Sequence, residues 1–369
     1  MFDFLIVTHV PHKWESGKWF AYGPYVVEMN IWLRHVGSVL ILAPRSYEPV
    51  SPMESAYSSA NITLIEMPQF NFLNLKNRMR SLVLLPKIFL TCFNAMRHTK
   101  HIHLRCPGNM GLVGALSQVV FRRKQKTVKF AGNWDPAAAR PWSVKFQRFI
   151  LRQPILMGRA SVLVYGTWSD NTATCVDAFT ATYSEQEITV CHPRPLDKPI
   201  RAMFIGRFNE NKAPLVAVET VLQLRQMGWP ISLSLVGKGP QAETLQSYAK
   251  DYPDSIKVIG ELSKDQVRAH LQAAHFLLAP SSTEGWPKTV AEAMFWAVIP
   301  VVPPVSCVAQ MLDSGQRGLL VPKNAQQMAQ AIDTLLKDPE QYRQMALKAQ
   351  SWSQQFTLEK FDSFIQQFL

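Results

Sequence analysis

The 369-residue chain is 47% hydrophobic and 18% charged, a balance that fits folded globular domains, excludes a disordered chain and leaves room for two domains. Its net charge of +12 is uneven, because residues 1–198 carry 23 Lys/Arg against 12 Asp/Glu, whereas the remainder carries 16 against 15. Such an excess in one half implies an anionic partner. We rank a membrane surface above nucleic acid, since no nucleic-acid-binding module is recognisable.

Cysteine usage and the hydropathy pattern indicate the compartment. The five cysteines are scattered and form no C-x-x-C pair, which favours a reducing cytosol over a disulfide framework or a zinc site. Residues 1–7 have strand character and lack the basic lead and long apolar core of a signal peptide. The best apolar segment, residues 81–96, is interrupted by Pro86 and Lys87, so we expect no membrane span.

Strand-like apolar runs alternate with helical periodicity in both halves, which predicts parallel βαβ units. In the first half we predict a helix at 24–36 and strands at 4–7, 39–42, 62–66, 101–104, 127–130 and 161–165. Residues 192–199 are proline-rich and are interpreted as a linker. Beyond it we predict strands at 202–205, 231–236, 256–259, 276–278 and 299–302. Helices are predicted to begin at 213, 242, 264 and 288 and to span 326–336, 339–354 and 358–368.

The segment after strand 276–278 combines two carboxylates with the start of a helix. Glu284 lies in the loop and Glu292 about one turn inside the helix, whose first turn suits Pro287. Ligands of α/β sheets bind where parallel strands end. Gly285 lets a backbone approach closely, and the N–H groups at the helix start would attract a phosphate. For an isolated pair of glutamates, a solvated Glu284 and a locally paired Glu292 would be the simpler interpretation.

The spacing of Glu284 and Glu292, with the preceding Pro-Ser and the following Glu-Ala-Met, resembles the E-x7-E motif of family 4 of the retaining glycosyltransferases. The resemblance covers roughly residue 201 to the C-terminus, and more weakly the whole chain. It implies an α/β protein with the GT-B fold, in which two Rossmann-like, doubly wound domains face a cleft that holds the active site. It also implies that Glu284 contacts hydroxyls of the donor sugar and that Glu292 binds the ribose of the nucleotide.

The same resemblance sets the expected domain organisation. We expect an acceptor-binding domain at residues 1–193 and a nucleotide-sugar-binding domain at 194–354. A C-terminal helix at 355–369 is expected to pack back on the first domain.

A second motif supplies positive charge near the donor. Gly206, Arg207 and Lys212 follow strand 202–205 and resemble the family's G-R-x-x-x-x-K element, whose Arg and Lys hold the donor phosphates. These cations would stabilise the leaving diphosphate, which is the role of a metal in other enzymes. Taken alone, the two bases would be a solvated pair. Because no D-x-D motif occurs, we expect neither a catalytic metal nor another cofactor.

Glycines follow the next two strands. Gly237 and Gly239 match the family's V-G-x-G-P turn and either face the nucleotide or form a plain structural turn. Gly260 matches the position where the family holds the base through main-chain groups. The expected donor-binding residues are therefore Gly206, Gly237, Gly239, Gly260, Gly285, Trp286, Lys288, Thr289, Val290 and Glu292, with Arg207, Lys212 and Glu284 as the catalytic residues.

The first half carries weaker signals for an acceptor. The candidates are Gly23 before the first helix, Arg105 in the slot where the family often has a histidine, His103 on the same strand face, and Asp135 after another strand. Arg105 would bind a diphosphate or an acidic acceptor, and His103 is interpreted as either structural or acceptor-binding. Residues 8–22 are expected to form a long aromatic loop, suited to stacking on a sugar, to insertion at an interface or to core packing.

Residues 72–97 and 141–159 combine bases with apolar side chains, as helices on an anionic membrane do, although helices packed on the sheet explain them equally well. The prediction is a metal-independent retaining hexosyltransferase in cell-surface polysaccharide or glycolipid synthesis. It would use a UDP- or GDP-sugar and a lipid-linked or growing saccharide acceptor, in the cytoplasm at the inner face of the plasma membrane. The alternatives are a non-catalytic scaffold that binds a nucleotide sugar or anionic lipid, and an epimerase or phosphorylase of the same fold.

Overall fold

The structure is a computed structural model that describes residues 1–51, 53–59, 61–70, 75–189, 192–197 and 199–369. The chain forms two compact units. The first unit comprises Met1–Phe179 with Phe361–Leu369, and the second comprises Thr180–Lys360. The chain therefore passes between units at residues 179/180 and 360/361, where the sequence suggested 193/194 and 354/355.

The first unit contains a large parallel sheet and a small antiparallel one. Its strands are β1 (Phe2–Val7), β2 (Lys13–Glu15), β3 (Lys18–Tyr22), β4 (Val39–Ala43), β5 (Glu54–Ala56), β6 (Ile62–Glu66), β7 (Thr99–Cys106), β8 (Gln125–Phe130), β9 (Ala160–Val164) and β10 (Cys175–Asp177). Its helices are α1 (Gly23–Leu33), α2 (Leu75–Arg97), α3 (Asn109–Ser117), α4 (Trp142–Leu151) and α5 (Pro154–Met157).

The large sheet has the order β10-β9-β8-β7-β1-β4-β6, and all of its neighbouring strands are parallel. Parallel strands covered on both faces are near-continuous apolar runs, and Phe4, Leu5, Ile6 and Val7 of β1 are each 0% exposed. The order reverses between β1 and β7, which is the switch point of a Rossmann-like fold.

Residues 13–22, within the segment 8–22, form a hairpin, so the expectation of a loop is wrong for that part. Strands β2 and β3 pair in antiparallel register, and β3 pairs with β5. The turn uses Ser16 at φ 49° and Gly17 at φ 77°, the left-handed pair that a two-residue hairpin favours. Trp14 opposes Trp19 across the hairpin, with ring centroids 4.9 Å apart. Cross-strand aromatic packing therefore orders a segment whose aromatic residues suggested only a loop.

The second unit holds the strands β11 (Ile200–Ile205), β12 (Ile231–Val236), β13 (Ile256–Gly260), β14 (Phe276–Leu278), β15 (Ile299–Val302) and β16 (Leu319–Leu320). These pair in parallel in the order β13-β12-β11-β14-β15-β16. Its helices are α6 (Pro214–Gln226), α7 (Ala242–Asp251), α8 (Lys264–Ala273), α9 (Lys288–Phe295), α10 (Val308–Met311), α11 (Ala325–Leu336) and α12 (Pro339–Ser353). The last helix, α13 (Leu358–Gln366), lies mostly in the first unit. The switch point of this sheet lies between β11 and β14.

Two segments near the unit boundaries have defined contacts. Arg194, in the proline-rich stretch, donates from Nε and Nη2 to the carbonyl of Gln272 at 2.7 and 2.6 Å, so this stretch is packed within the second unit rather than forming a free linker. In the first unit, the rings of Phe361 and Phe364 lie 5.8 and 5.6 Å from the ring of Phe179. The end of the chain is thus held by aromatic packing.

Glycines allow the strand ends of the second sheet to approach one another. A Cβ on Gly237, which has φ +142°, would lie 1.9 Å from the carbonyl oxygen of Gly206, and one on Gly239 would lie 2.5 Å from the carbonyl oxygen of Phe208. The N–H of Gly237 also donates to the carbonyl of Gly260 at 2.8 Å. Close backbone packing is therefore sufficient to explain Gly237 and Gly239.

Buried histidines occupy the core of the first unit. His103 is 0% exposed, accepts or donates through Nδ1 to the Thr127 hydroxyl at 2.8 Å, and packs against Phe4 and Trp32. Burial lowers the pKa of His103 to about 3 and that of His101 to about 4. Both side chains are therefore neutral in the folded protein near neutral pH.

These histidines predict acid sensitivity. In the unfolded chain these histidines bind protons near pH 6.5, whereas in the folded chain His101 binds one only near pH 4 and His103 only near pH 3. The free energy of unfolding should therefore fall on acidification from about pH 6.5 down to these values. Each histidine contributes a slope of about 1.4 kcal/mol per pH unit. Urea unfolding at several pH values measures it, and His103→Gln should make the dependence shallower. An unchanged dependence would contradict the neutral core assignment.

The glycine packing predicts a matched pair of effects. Gly237→Ala should destabilise the protein more than Gly228→Ala, because Gly228 has φ +94° but no atom of the described residues within 4 Å of its Cβ position. In both variants an alanine must adopt a left-handed backbone conformation, which lowers the free energy of unfolding by about 1–2 kcal/mol. In Gly237→Ala the clash of the new Cβ with the carbonyl of Gly206 should lower it by about 1–3 kcal/mol more. Denaturant unfolding compares them, and equal losses would show that the loops can separate freely.

Candidate functional site

The loops that follow β11 and β14 meet at the switch point of the second sheet. The N–H of Ser282 donates to the carbonyl of Asn211 at 2.8 Å, which ties the loop after β14 to the loop after β11. Both loops lie at the carboxyl edge of the sheet, where open α/β sheets bind their ligands. The structure therefore brings the two predicted motifs together at one place.

Lys212 and Glu284 form an ion pair across these loops. Lys212 Nζ lies 2.5 Å from Glu284 Oε1, and the side chains are only 28% and 13% exposed. The backbone N–H of Lys212 donates to Oδ1 of Asn209 at 3.0 Å, which fixes the start of the lysine side chain. A partly buried, charge-assisted pair is a strong and directional contact, so it holds one cation and one carboxylate at the sheet edge.

Arg207 adds an exposed cation to the same loop. Its side chain is exposed, and no acidic group of the described residues makes an ion pair with it. Arg207 follows Gly206, the first residue after β11. The N–H of Gly206 donates to the carbonyl of Val236 at 3.0 Å. The guanidinium is therefore carried on an anchored backbone and is open to an anionic ligand.

Glu292 has a different environment from Glu284. Its Oε1 accepts a hydrogen bond from the hydroxyl of Thr182 at 2.7 Å. Burial raises the pKa of its carboxyl group, and the Thr182 hydrogen bond and the Lys288 charge oppose that rise. Glu292 also lines a small pocket with Thr180, Thr182, Tyr183, Lys288 and Ser353. The E-x7-E spacing thus places two carboxylates with separate partners.

The rest of the predicted donor segment is largely structural. The ring of Trp286 lies 6.1 Å from that of Trp352 and 5.6 Å from that of Phe356, so Trp286 packs in an aromatic group. Val290 is 1% exposed, and its N–H donates to the carbonyl of Pro287. Thr289 is half-buried. The open position in this region is Gly260, since no atom of the described residues lies within 4 Å of its Cβ position.

Two residues that the sequence reasoning missed hold the loop of Glu284. The carbonyl of Gly285 accepts from Ser306 Oγ at 3.2 Å and from Cys307 Sγ at 3.4 Å. Ser306 adopts φ 51°, an uncommon conformation for a residue with a side chain. No periodicity or motif signals these contacts, or the contact of Thr182 with Glu292, because the partners are far apart in the chain.

Two acceptor candidates of the first unit are engaged within the protein. His103 lies in the core, so it is not at a surface that an acceptor reaches. Arg105 Nη1 lies 3.0 Å from Glu28 Oε1, with side chains 16% and 6% exposed. Burial disfavours the Arg105 charge, but Glu28 and nearby tyrosines raise its pKa. Its charge is therefore largely balanced before any ligand binds.

The other two acceptor candidates make backbone contacts. The N–H of Gly23 donates to the carbonyl of Met53 at 2.8 Å, and a Cβ there would lie 3.0 Å from that carbonyl. Asp135 Oδ1 accepts from the N–H of Ala137 at 2.8 Å, which closes a turn. Gly23 thus allows α1 to pack closely on the small sheet. Asp135 uses Oδ1 for the turn, which leaves Oδ2 to accept a hydrogen bond from an acceptor.

Within the described ranges, no group of three or more His, Cys, Asp and Glu side chains is placed to hold a metal ion. The same ranges contain no helix that is both long and apolar enough to cross a bilayer. The cysteines described, Cys92, Cys106, Cys175 and Cys307, are free thiols, whereas Cys191 lies outside the described residues.

The family match from sequence comparison falls within the second unit. Residues 199–338 match the family described as glycosyl transferases group 1. An uncharacterized glycosyltransferase of Haemophilus influenzae is 32% identical over 152 residues, which are 40% of this chain and 41% of that protein. A putative colanic acid biosynthesis glycosyltransferase, WcaL, of Salmonella typhimurium is 33% identical over 135 residues, 34% of this chain and 33% of that protein. The chain thus spans about two fifths or less of the length of these relatives.

Solved structures resemble the whole chain. Sucrose-phosphate synthase from Thermosynechococcus elongatus aligns with a TM-score of 0.67 at 18% identity, over 100% of this chain and 98% of that one. HepE from Anabaena, in complex with UDP-glucose, aligns with a TM-score of 0.67 at 13% identity, over 100% and 99%. At these identities the likeness shows the fold, which is GT-B with two Rossmann-like domains. The chain therefore carries, in residues 199–338, a domain of the glycosyl transferases group 1 family within a GT-B fold.

Proposed function

We propose that the protein is a retaining glycosyltransferase that moves a hexose from a UDP- or GDP-sugar to a lipid-linked or growing saccharide. The observation that carries this proposal is the Lys212–Glu284 pair beside the open Arg207 at the switch point of the group 1 domain. The names of relatives that act in colanic acid, teichuronic acid and amylovoran biosynthesis support a role in cell-surface polysaccharide or glycolipid synthesis. The UDP-glucose complex of HepE supports a nucleotide-sugar donor.

Arg207 and Lys212 would act on the leaving group. As the bond between the anomeric carbon and the diphosphate oxygen breaks, negative charge develops on the diphosphate, and two cations held at the sheet edge stabilise it. The acceptor oxygen forms its bond on the same face, and its proton passes to the departing phosphate. In this reaction the two side chains supply the positive charge, so we propose that no metal is required.

Glu284 would position the donor sugar. Its carboxylate is held by Lys212 through Oε1, and its second oxygen is available to accept hydrogen bonds from sugar hydroxyls. When the diphosphate binds, Lys212 gains a second anionic partner without moving far. Orientation of this kind lowers the barrier because the reacting atoms are held in place before the bond breaks.

Glu292 would bind the ribose. Its Oε1 accepts from Thr182, while Oε2 has no hydrogen-bond partner among the described residues and is free to accept from a ribose hydroxyl. The raised pKa of the carboxyl group, caused by burial, means that the empty site holds a poorly solvated carboxylate. Two ribose hydroxyls replace that missing solvation.

We also propose that the first unit contacts an anionic membrane from the cytoplasmic side. Helix α2 exposes Val83 at 77% and Leu90 at 63%, and this half of the chain carries the basic excess. Apolar and basic side chains on one helix suit the interface of an anionic bilayer. The side chains of Lys76, Arg78 and Arg80, part of this expectation, lie outside the described residues.

Donor binding is tested by thermal unfolding of the full chain with UDP- and GDP-sugars, without added metal. A ligand present at 100 times its Kd should stabilise the folded state by about 2.7 kcal/mol. Glu292→Gln should abolish the shift, whereas Glu219→Gln, exposed on α6, should retain it. If the sugar nucleotide still raised the unfolding temperature of Glu292→Gln, Glu292 would not belong to the donor site. If no sugar nucleotide raised the unfolding temperature of the unaltered protein, that would count against a UDP- or GDP-sugar donor.

Catalysis is tested by acceptor-dependent release of nucleoside diphosphate. Arg207→Ala should lower kcat by about 10²- to 10³-fold, as does the loss of one preorganised donor at a developing charge, with the unfolding temperature unchanged. Arg201→Ala, exposed near the other end of β11, is the matched control and should keep wild-type turnover. Near-normal turnover of Arg207→Ala would refute its role, and binding without turnover across acceptors would favour the scaffold.

A further inference from the structure

Two arginines of the first unit form ion pairs with one carboxylate, and a third arginine lies near them. Arg148 and Arg152 both pair with Asp170, the latter with Nη1 3.3 Å from Oδ2. Arg152 Nε also donates to the carbonyl of Asp170 at 2.9 Å. Arg140 donates to the carbonyl of Asp135. We call Arg140, Arg148 and Arg152 the arginine cluster, which holds three guanidinium groups and forms ion pairs only with Asp170 among the described residues.

The arginine cluster carries three positive charges that Asp170 and the nearby Asp135 offset only in part. Burial lowers the pKa of Arg140, the Arg148 charge lowers it further, and Asp135 and Asp170 oppose the change. Arg148 is 8% exposed, lies 4.8 Å over the ring of Trp134, and its Nε has no hydrogen-bond partner in the described part of the chain. Like charges gathered in a partly desolvated place repel, and a bound anion relieves that repulsion.

The position of Arg140 favours a ligand role, whereas Arg148 and Arg152 lie in the last turn of α4 and directly after it. Arg140 lies in the loop after β8, and Asp170 lies in the loop after β9. Both loops leave the carboxyl edge of the large parallel sheet, where α/β sheets bind ligands. Arginine forks match the oxygens of a phosphate group in geometry and charge.

An apolar face lies beside the arginine cluster. Helix α4 begins two residues after Arg140 and exposes Trp142 at 74%, Phe146 at 39% and Phe149 at 55%. These residues are spaced i, i+4 and i+7, so they share one side of the helix. Exposed aromatic side chains next to fixed cations suit a molecule with an apolar chain and an anionic head.

We propose that the arginine cluster and the aromatic face of α4 bind a lipid phosphate or diphosphate. The guanidinium groups take the phosphate oxygens, and Trp142 with Phe146 contacts the lipid chain. This rests on the proposed function, in which it makes the acceptor a saccharide carried on a lipid phosphate. The arginine side chains recognise the phosphate head by its charge and by the positions of its oxygens. The aromatic face contacts only the lipid chain, so it favours a lipid phosphate over free phosphate.

The test is flotation of the full chain with phosphatidylcholine vesicles that contain a polyprenyl diphosphate. Vesicles of phosphatidylcholine alone, and vesicles with phosphatidylglycerol of matched charge, are the comparison. We expect binding to the diphosphate vesicles to exceed both. Arg140→Gln should weaken it about tenfold or more, the loss expected for a charge-assisted hydrogen bond. Arg123→Gln, an exposed arginine in the loop before β8 at the opposite sheet edge, removes the same charge and should have little effect.

Trp142→Ser and inorganic pyrophosphate separate the two sources of phosphate. We expect Trp142→Ser to weaken vesicle binding and to leave pyrophosphate binding, measured by calorimetry, unchanged. If pyrophosphate bound as tightly as the vesicles and Trp142→Ser had no effect, the lipid assignment would be overturned. Equal losses from Arg140→Gln and Arg123→Gln, or equal binding to phosphatidylglycerol vesicles, would mean diffuse attraction and overturn the site.

The outcome is distinguishable from a failure of the proposed function. Vesicle binding is measured without a sugar nucleotide, and donor binding is measured without lipid. A protein that shows the donor thermal shift but ignores diphosphate vesicles would refute only the lipid site. A protein that binds the vesicles through Arg140 but shows no shift with any sugar nucleotide would refute the transferase assignment and leave the lipid site in place.

Discussion

The reversal of strand order beside β11 is the constraint on which the second unit depends. Because β11 has β12 on one side and β14 on the other, the loops after β11 and β14 leave the same edge at the switch point. Lys212 and Glu284, 72 residues apart, are joined there by a 2.5 Å contact. The close approach of Gly206 and Gly237 holds the neighbouring strand ends under this contact. The donor chemistry proposed here is possible only because backbone packing has already brought these loops together.

The two glutamates of the E-x7-E motif illustrate how environment divides the work of identical side chains. Glu284 is held by a cation at the sheet edge, where charge would change in the proposed transfer. Glu292 accepts from a neutral hydroxyl and is poorly solvated, which suits it to a neutral sugar hydroxyl rather than to a phosphate. The two cations on the loop after β11 also differ in environment. Lys212 forms an ion pair with Glu284, whereas Arg207 is exposed and open to a ligand.

The first unit uses similar residue types in its core and in the proposed lipid-phosphate site. Its buried histidines stay neutral because the core cannot solvate their charge, and Arg105 is balanced by Glu28. The arginine cluster differs, because two of its guanidinium groups share Asp170 and the third, Arg140, has no ion-pairing carboxylate among the described residues. What distinguishes the arginine cluster from the other basic residues of the unit is that its guanidinium groups are partly buried with too few carboxylates to balance their charge.

The sequence by itself determined the alternation of strands and helices, the two Rossmann-like halves and the motifs that follow their strands. The strands at 231–236, 276–278 and 299–302 were predicted at their observed bounds. The last two are fully buried apolar runs, as parallel strands covered on both faces are, whereas in 231–236 apolar residues alternate with Ser232 and Ser234. The tertiary structure alone decided that residues 13–22 form a hairpin, that Glu292 accepts a hydrogen bond from Thr182, and that Ser306 and Cys307 donate to the carbonyl of Gly285. These contacts depend on cross-strand and long-range proximity, which local periodicity does not encode. For the same reason, only folding separates His103, enclosed in the core, from Arg140, left with an unbalanced charge at the sheet edge.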